Sequence, residues 1–136
     1  MTILVIEDDD GIRDSLYCYL EIANATVITC ADGKHAVDYL MVHPQPTLII
    51  LDLAMPKMNG WEFRSWQKRH PTLSKVPVIV YTAFHWTQEQ QDQLQAAAYM
   101  SKPFNLVDMK ETIEKVIAEI PPNEDATKPN LLPIRD

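Results

Sequence analysis

Short apolar runs alternate along this chain with stretches whose apolar residues recur at helical spacing. The runs cover residues 2–6, 26–30, 47–51, 76–81 and 99–101, and they are rich in β-branched residues. Such residues suit a pleated surface that is buried on both faces. An alternation of strands and helices is typical of βαβ units, so the pattern predicts an α/β fold built on a five-stranded parallel sheet.

The stretches between these runs carry the apolar stripes of amphipathic helices. Two stripes consist of Ile12, Leu16, Tyr19 and Leu20, and of Ala36, Val37, Leu40 and Met41. Asn105 is a predicted N-cap, and the stripe after it consists of Leu106, Met109, Ile113, Val116, Ile117 and Ile120. Thr87 and Gln90 match a capping box, which predicts a weakly anchored helix over residues 88–95. With a helix that starts near Gly60, the pattern predicts five helices.

Length and composition predict one domain followed by a tail. The 136 residues are close to the usual size of one domain. We expect this domain to cover residues 1–120, because Pro121 and Pro122 stop the last helix. Residues 121–136 carry several charges and further prolines, so we expect a flexible tail there.

Charge, hydropathy and cysteine spacing exclude several classes of binding partner and site. The net charge is −7 and the basic residues are scattered, so the sequence does not predict a basic surface that would bind a nucleic-acid backbone. No apolar run reaches the roughly 20 residues that a membrane span needs, and the N-terminus lacks a signal-peptide pattern. We therefore expect a cytoplasmic protein without direct membrane or nucleic-acid binding. Cys18 and Cys30 form no CxxC pair, and we expect both to be small buried hydrophobic residues.

An acidic run follows the first predicted strand directly, consisting of Glu7, Asp8, Asp9 and Asp10. Bundled carboxylates repel one another unless a cation neutralises them. A set of oxygen ligands with room for water and a phosphate is typical of Mg²⁺. Asp9 and Asp10 also fit a simpler role at the N-terminus of the next helix, so the predicted metal ligands are Glu7 and Asp8.

Reactive side chains mark the ends of three other predicted strands. Asp52 closes a buried run, where a carboxylate must be paired, coordinated or reactive, and it can act as the nucleophile in covalent phosphoryl transfer. Thr82 offers a hydroxyl group after the next run. Lys102 precedes Pro103, which restricts the lysine to extended backbone and is a candidate for a cis peptide bond. Each group alone fits a structural role, but the carboxyl ends of parallel strands converge, so together they predict one phosphoryl-accepting site.

Two aromatic clusters and the histidines are open to simpler interpretations. The first cluster, which we expect to pack on the core or its edge, consists of Trp61, Phe63 and Trp66. The second lies beside Thr82 and fits a partner contact or a covered loop equally well; it consists of Phe84, His85 and Trp86. The histidines show no spacing typical of metal ligands.

Four motifs in this order resemble a two-component response-regulator receiver domain of the CheY-like superfamily. They are ILVIEDDD, LIILDLAMPKMNG, VPVIVYTA and YMSKPF, and the similarity extends from residue 2 to about residue 120. The spacings from Asp8 to Asp52 and from Asp52 to Thr82 also match the family. The resemblance implies a doubly wound, flavodoxin-like sheet of strand order 2-1-3-4-5 with helices on both faces.

The resemblance also implies roles for individual residues. Asp52 would accept a phosphoryl group from the phosphohistidine of a sensor histidine kinase. Asp8, Asp52 and the backbone carbonyl of Ala54 would bind Mg²⁺, with Glu7 acting through water. Lys102 would offset charge on the phosphoryl oxygens. The domain would thereby assist its own phosphorylation and hydrolysis without being an enzyme that acts on a separate substrate.

Switching in such a domain would begin at Thr82, which moves to the phosphoryl group and vacates space that Tyr99 fills. This would alter the surface formed by the fourth helix, fifth strand and fifth helix, where a downstream protein binds; a phosphorylation-dependent homodimer is also open. Apolar Ala54 and Phe84 are candidates for setting the lifetime of the phosphoryl group. The chain departs from the family in a shorter segment between Thr82 and Lys102, where Gln95 and three alanines replace the usual turn.

The sequence is compatible with several functions. The receiver can stand alone as an output, pass phosphate on as a phosphorelay intermediate, or form part of a DNA-binding response regulator. Of these we expect a stand-alone domain. An Asp-nucleophile phosphatase is a remote alternative, because that class places a DxD motif after its first strand, whereas Asp52 follows the third. With only three glycines and an acidic first loop, the chain lacks a phosphate cradle for a flavin nucleotide.

Overall fold

The computed structural model describes residues 1–22, 24–83 and 87–120. Within these ranges a single parallel sheet contains five strands in the order β2-β1-β3-β4-β5. The strands are β1 (Thr2–Ile6), β2 (Thr26–Cys30), β3 (Leu48–Asp52), β4 (Val78–Thr82) and β5 (Ala98–Ser101). The predicted α/β fold and its strand order are therefore confirmed.

Five α-helices connect and flank the strands in the described part of the chain. They are α1 (Asp10–Ile22), α2 (Gly33–Val42), α3 (Gly60–Arg69), α4 (Gln88–Leu94) and α5 (Leu106–Ala118). A short 3-10 helix, Leu73–Lys75, precedes β4. No helix of the described residues has the length and apolar content that crossing a membrane requires.

Alternating side chains of the sheet build one core on each face. Leu4, Ile49 and Val80 point to the side that carries α2, α3 and α4. Ile3 and Ile50 point to the other side, which carries α1 and α5. Strands β3 and β4 are buried along their whole length. Helices thus cover both faces, and the carboxyl ends of the strands form the edge at which polar groups gather.

The predicted element boundaries differ from the structure by one or two residues. Asp52 and Thr82 are the last residues of β3 and β4, so their backbones are held in the sheet ladder. The predicted caps are present: the Thr87 side chain accepts a hydrogen bond from Gln90 N, with the reciprocal bond also made, and Asn105 caps α5. Helix α5 ends at Ala118, before the predicted Pro121 stop. The predicted tail, residues 121–136, lies outside the described residues.

The prediction for the cysteines is half wrong. Cys30 is buried at the end of β2, but Cys18 is exposed on α1. The apolar stripe of α1 runs through Leu16 and Leu20, which are buried, and Cys18 lies between them in sequence and therefore on another face of the helix. The first aromatic cluster packs as predicted, with Phe63 fully buried and Trp61 and Trp66 partly buried against the same core.

A buried polar network joins α3 to the end of α4. The Arg64 guanidinium donates from Nε to Leu94 O at 2.8 Å and from Nη2 to Gln95 O at 2.7 Å. Its Nη1 donates to Gln67 Oε1 at 2.8 Å, and Gln67 Nε2 donates in turn to Leu73 O and to Val76 O. This network anchors the end of α4 and Gln95, where the shorter segment before β5 begins.

Candidate functional site

The predicted site residues come together at the carboxyl edge of the sheet. Glu7 and Asp8 directly follow β1, Asp52 ends β3, Thr82 ends β4 and Lys102 directly follows β5. These residues line one cleft of about 430 Å³, together with Asp9, Ile12, Ala54 and Ala83. Thr82 is buried, and its carbonyl oxygen accepts a hydrogen bond from the Lys102 amide at 2.9 Å. The sheet therefore fixes the relative positions of the strand ends that carry the polar groups.

Three carboxylates in this cleft form a group that can hold a metal ion. One oxygen each of Glu7, Asp8 and Asp52 lies within 4.8 Å of the others, and no second group of this kind occurs among the residues described. Glu7 and Asp52 are buried, whereas Asp8 is exposed at the rim. Oxygen donors with one side open to water fit Mg²⁺, which keeps several of its waters when bound. The donor set is thus suited to a hard divalent cation.

Lys102 is the cation of the cleft. Its Nζ lies 2.9 Å from Glu7 Oε1 and 3.3 Å from Asp52 Oδ2. Burial by itself would lower the pKa of Lys102, but the hydrogen bond to Glu7 and the charges of Asp52 and Glu7 outweigh it, so the pKa is raised. The ammonium therefore stays charged beside both acids. The peptide bond between Lys102 and Pro103, a candidate for the cis form in the sequence, is cis.

The two buried acids have opposite pKa shifts. Burial and the neighbouring Glu7 charge raise the pKa of Asp52 to about 6, and Lys102 offsets only part of this. Burial also acts on Glu7, but hydrogen bonds from Lys102, from Tyr81 and from the Asp9 backbone outweigh it and lower the pKa of Glu7. Glu7 is therefore the better stabilised anion, whereas Asp52 carries its charge at a cost.

Tyr81 also belongs to this site, although nothing in the hydrophobic pattern marked it. Its hydroxyl donates to Glu7 Oε1 at 2.5 Å, and Lys102 Nζ lies 4.9 Å from the centroid of its ring. Tyr81 stands directly before Thr82 in a strand that is buried throughout. A polar hydroxyl in such a strand needs a partner, and this was the one signal in the sequence that could have revealed it.

The proposed switch residues lie on neighbouring strands. Tyr99 is partly buried on β5; its hydroxyl donates to Gln91 O at 2.7 Å and accepts from Ala96 N at 2.9 Å. Tyr99 is therefore tied to the end of α4 and the loop after it. Phe84, named as a candidate for phosphoryl lifetime, lies outside the described residues, as do His85 and Trp86.

Asp52 is positioned by a close approach between the end of β3 and the start of α3. The Gly60 amide donates to Leu53 O at 2.9 Å. A Cβ on Gly60 would lie 2.6 Å from Leu53 Cα and closer still to the Asp52 carbonyl oxygen. Only a residue without a side chain fits here, so Gly60 sets the position of β3 against α3.

We expect Gly60→Ala to lower the free energy of unfolding by about 1–3 kcal/mol, because the added methyl group must push the backbone of β3 away. Urea denaturation measures this change. Gly11→Ala on α1 is the matched control: its Cβ would meet only the Asp9 side chain, at 3.3 Å. Equal stabilities of the two variants would contradict the close approach at Gly60.

Comparison with known proteins identifies the family. The family model described as "Response regulator receiver domain" matches residues 3–114. This chain belongs to that family. Receiver domains are signalling switches of two-component systems.

Individual relatives agree with this assignment. The chain is 28% identical over 129 residues to the response regulator Rre1 of Synechocystis sp., covering 93% of this chain and 55% of that protein. The receiver domain of a signal transduction histidine kinase from Syntrophus aciditrophicus superposes with a TM-score of 0.81 at 26% identity, covering 93% of this chain and 96% of that one. The response regulator TrrA of Thermotoga maritima, solved in complex with Mg(2+)-BeF, gives 0.74 at 26% identity, covering 85% and 97%. The chain thus spans about half of the curated response regulator Rre1.

Proposed function

We propose that this receiver domain is a phosphorylation-activated switch in which Asp52 accepts a phosphoryl group from the phosphohistidine of a sensor histidine kinase. The observation that carries the proposal is the setting of Asp52: a buried carboxylate 3.3 Å from the Lys102 ammonium, within a group of three acids. A buried carboxylate that is only partly compensated by a cation is costly unless it is also coordinated or reactive. In a phosphoryl acceptor the carboxylate both coordinates the metal ion and reacts with phosphorus.

In the proposed transfer, an Asp52 oxygen attacks phosphorus while the bond from phosphorus to the histidine nitrogen breaks. The electron pair of that bond returns to the imidazole, which takes up a proton from solvent, and an acyl phosphate remains on Asp52. Lys102, which already lies between Glu7 and Asp52, offsets charge on the phosphoryl oxygens, and the Thr82 hydroxyl hydrogen-bonds one of them. Positioning and electrostatics supply most of the rate in phosphoryl transfer. Hydrolysis by water would later return the free carboxylate, so the domain assists its own reactions and acts on no separate substrate.

The residues that would hold Mg²⁺ are Asp8 and Asp52, the carbonyl of Ala54, and Glu7 through a water. Ala54 lines the same cleft and its amide donates to Asp52 Oδ1 at 3.4 Å. When bound, the ion supplies positive charge that neutralises the acids and the phosphoryl oxygens. The structure of the similar response regulator TrrA in complex with Mg(2+)-BeF supports this assignment.

The proposed output is a change in partner binding at the face formed by α4, β5 and α5. Movement of Thr82 toward the phosphoryl group would vacate space for Tyr99, whose hydroxyl would then leave Gln91 O and Ala96 N. Breaking these two bonds would loosen the end of α4. A downstream protein or a second copy of the domain would bind the altered face. That Ala54 and Phe84 set the phosphoryl lifetime also remains a prediction.

The protein context of this switch has three candidates. A stand-alone receiver would act on a separate partner protein, and a receiver within a longer regulator would control an output domain, such as a DNA-binding one. A receiver that relays its phosphate to a second histidine has the same acceptor site. An Asp-nucleophile phosphatase finds no support in the family assignment.

Intact mass spectrometry after addition of acetyl phosphate tests the acceptor. We expect the mass of one phosphoryl group to be added to the wild type in Mg²⁺, and no addition in the presence of EDTA or in Asp52→Asn. Asp38→Asn, an exposed aspartate paired with Lys34 on α2, is the matched control and should be phosphorylated like the wild type. Phosphorylation of Asp52→Asn at the wild-type rate would overturn the proposal.

A further inference from the structure

Tyr81 places a buried hydroxyl group directly on an acid of the metal cleft. The residue is 0% exposed, and its hydroxyl donates to Glu7 Oε1 at 2.5 Å. Residues 7 and 81 are far apart in sequence, so this bond exists only because β1 and β4 flank β3 in the sheet. A hydrogen bond from a neutral hydroxyl to a buried carboxylate is among the stronger side-chain hydrogen bonds in proteins.

The position of this hydroxyl is set by rigid surroundings. Tyr81 pairs with Asp52 in the register of β3 and β4. Its ring meets the ring of Phe104 edge to face, with centroids 5.5 Å apart. A side chain with two rotatable bonds, fixed by a central strand and by a second ring, has little freedom to move its hydroxyl. The phenol therefore acts as a fixed donor.

The other donors to Glu7 differ from Tyr81 in this respect. The Asp9 amide donates to Oε2 at 2.9 Å and Lys102 Nζ contacts Oε1 at 2.9 Å. Lys102 has a flexible stem and also lies within reach of Asp52. The Asp9 amide serves Oε2, so Oε1 has two donors, Tyr81 and Lys102. If Lys102 turns toward a phosphoryl group on Asp52, Tyr81 is the donor that remains on Oε1.

We propose that Tyr81 is a positioning residue that fixes the Glu7 carboxylate for divalent-cation binding. It acts through Glu7 and contacts neither the cation nor the phosphoryl group. The inference rests on the proposed function, because it takes the acidic cleft to be a Mg²⁺ site. Removal of a group that orients a metal ligand through a hydrogen bond typically weakens metal affinity by about 10- to 100-fold.

The test is a titration of the unphosphorylated protein with Mg²⁺, in which the NMR signals of the Asp9 and Ala54 amides report binding. Tyr81→Phe removes only the hydroxyl and keeps the ring, and we expect its Mg²⁺ dissociation constant to rise by about tenfold or more. Tyr39→Phe is the matched control and should bind like the wild type, because Tyr39 stacks on His43 at the C-terminus of α2 and does not line the cleft. A constant for Tyr81→Phe within twofold of the wild type would overturn the inference.

A double-mutant cycle separates positioning of Glu7 from a general structural effect. Glu7→Gln should itself weaken Mg²⁺ binding, and adding Tyr81→Phe to it should weaken binding by less than threefold more, because the partner of the hydroxyl has changed. If the fold-changes of the two single variants multiply in the double variant, Tyr81 acts independently of Glu7 and the inference is overturned. A wild type that binds no Mg²⁺ would instead overturn the proposed function, and this inference with it.

Discussion

Asp52→Asn should raise the free energy of unfolding of the metal-free protein at pH 7.5 by about 3 kcal/mol. The reason is that burial and the charge of Glu7 raise the pKa of Asp52 from 3.8 to about 6, and each unit of pKa shift corresponds to about 1.4 kcal/mol. Asparagine carries no charge and still offers an oxygen to the Ala54 amide, which donates to Asp52 Oδ1 in the wild type. Urea denaturation in EDTA measures the difference.

The stabilisation should depend on pH with a definite sign. Between pH 3.8 and about 6 the folded state binds more protons at Asp52 than the unfolded state does. The cost of this carboxylate therefore grows as the pH rises through that window, is fully present above it, and is absent below it. The advantage of Asp52→Asn should shrink to about one third of its value, about 1 kcal/mol, at pH 4.5. Asp38→Asn, the exposed control, should change stability little at either pH, and an advantage of Asp52→Asn that grows toward acid pH would contradict this account.

This cost explains why the acidic cleft is coupled to its proposed ligand. A cation that binds only the folded state adds stability according to its concentration and affinity. Mg²⁺ would thus remove the repulsion between Asp52 and Glu7 that the apo protein carries. Functional sites commonly lower the stability of the folded protein when their ligand is absent.

The sequence predicted the fold because each local signal agreed with the others. Apolar runs of strand length, the capping box at Thr87 and the N-cap at Asn105 all fall where the structure has them. The convergence of Asp52, Thr82 and Lys102 followed from one rule, that carboxyl ends of parallel strands share an edge. Their roles in phosphorylation remain predictions.

Contacts between distant segments could not be predicted in this way. The bond from Tyr81 to Glu7 depends on which strands flank β3, and the bonds from Arg64 to Leu94 O and Gln95 O depend on how α3 lies against α4. In the sequence, Arg64 is one more charged residue of an amphipathic helix, and such residues are usually solvated. Only the tertiary arrangement shows that its guanidinium is buried.

Arg64→Met should lower the free energy of unfolding by about 3 kcal/mol, because it leaves acceptors unpaired inside the protein. Arg64 is 8% exposed, and its guanidinium donates to two carbonyl oxygens at the end of α4 and to Gln67 Oε1. Helix α4 has no basic residue in its last turn, so Arg64 also supplies the positive charge that a helix C-terminus favours. Methionine retains much of the apolar stem, which confines the change to the lost donors. Urea denaturation measures the loss.

Arg69→Met is the control on the same helix, because the hydrogen bond from Arg69 to Ser65 Oγ is exposed. We expect it to change stability by no more than about 0.5 kcal/mol. Amide hydrogen exchange adds a local readout: in Arg64→Met the amides of Gln95 and Ala97, which bond to Gln91 O and Val78 O, should exchange faster than the amides of β1. Equal losses in the two variants would show that the buried guanidinium is not what holds α4. Unequal losses, with faster exchange confined to this segment, would place Arg64 beside Tyr99 as a group that fixes the end of α4, the helix whose movement the proposed switch requires.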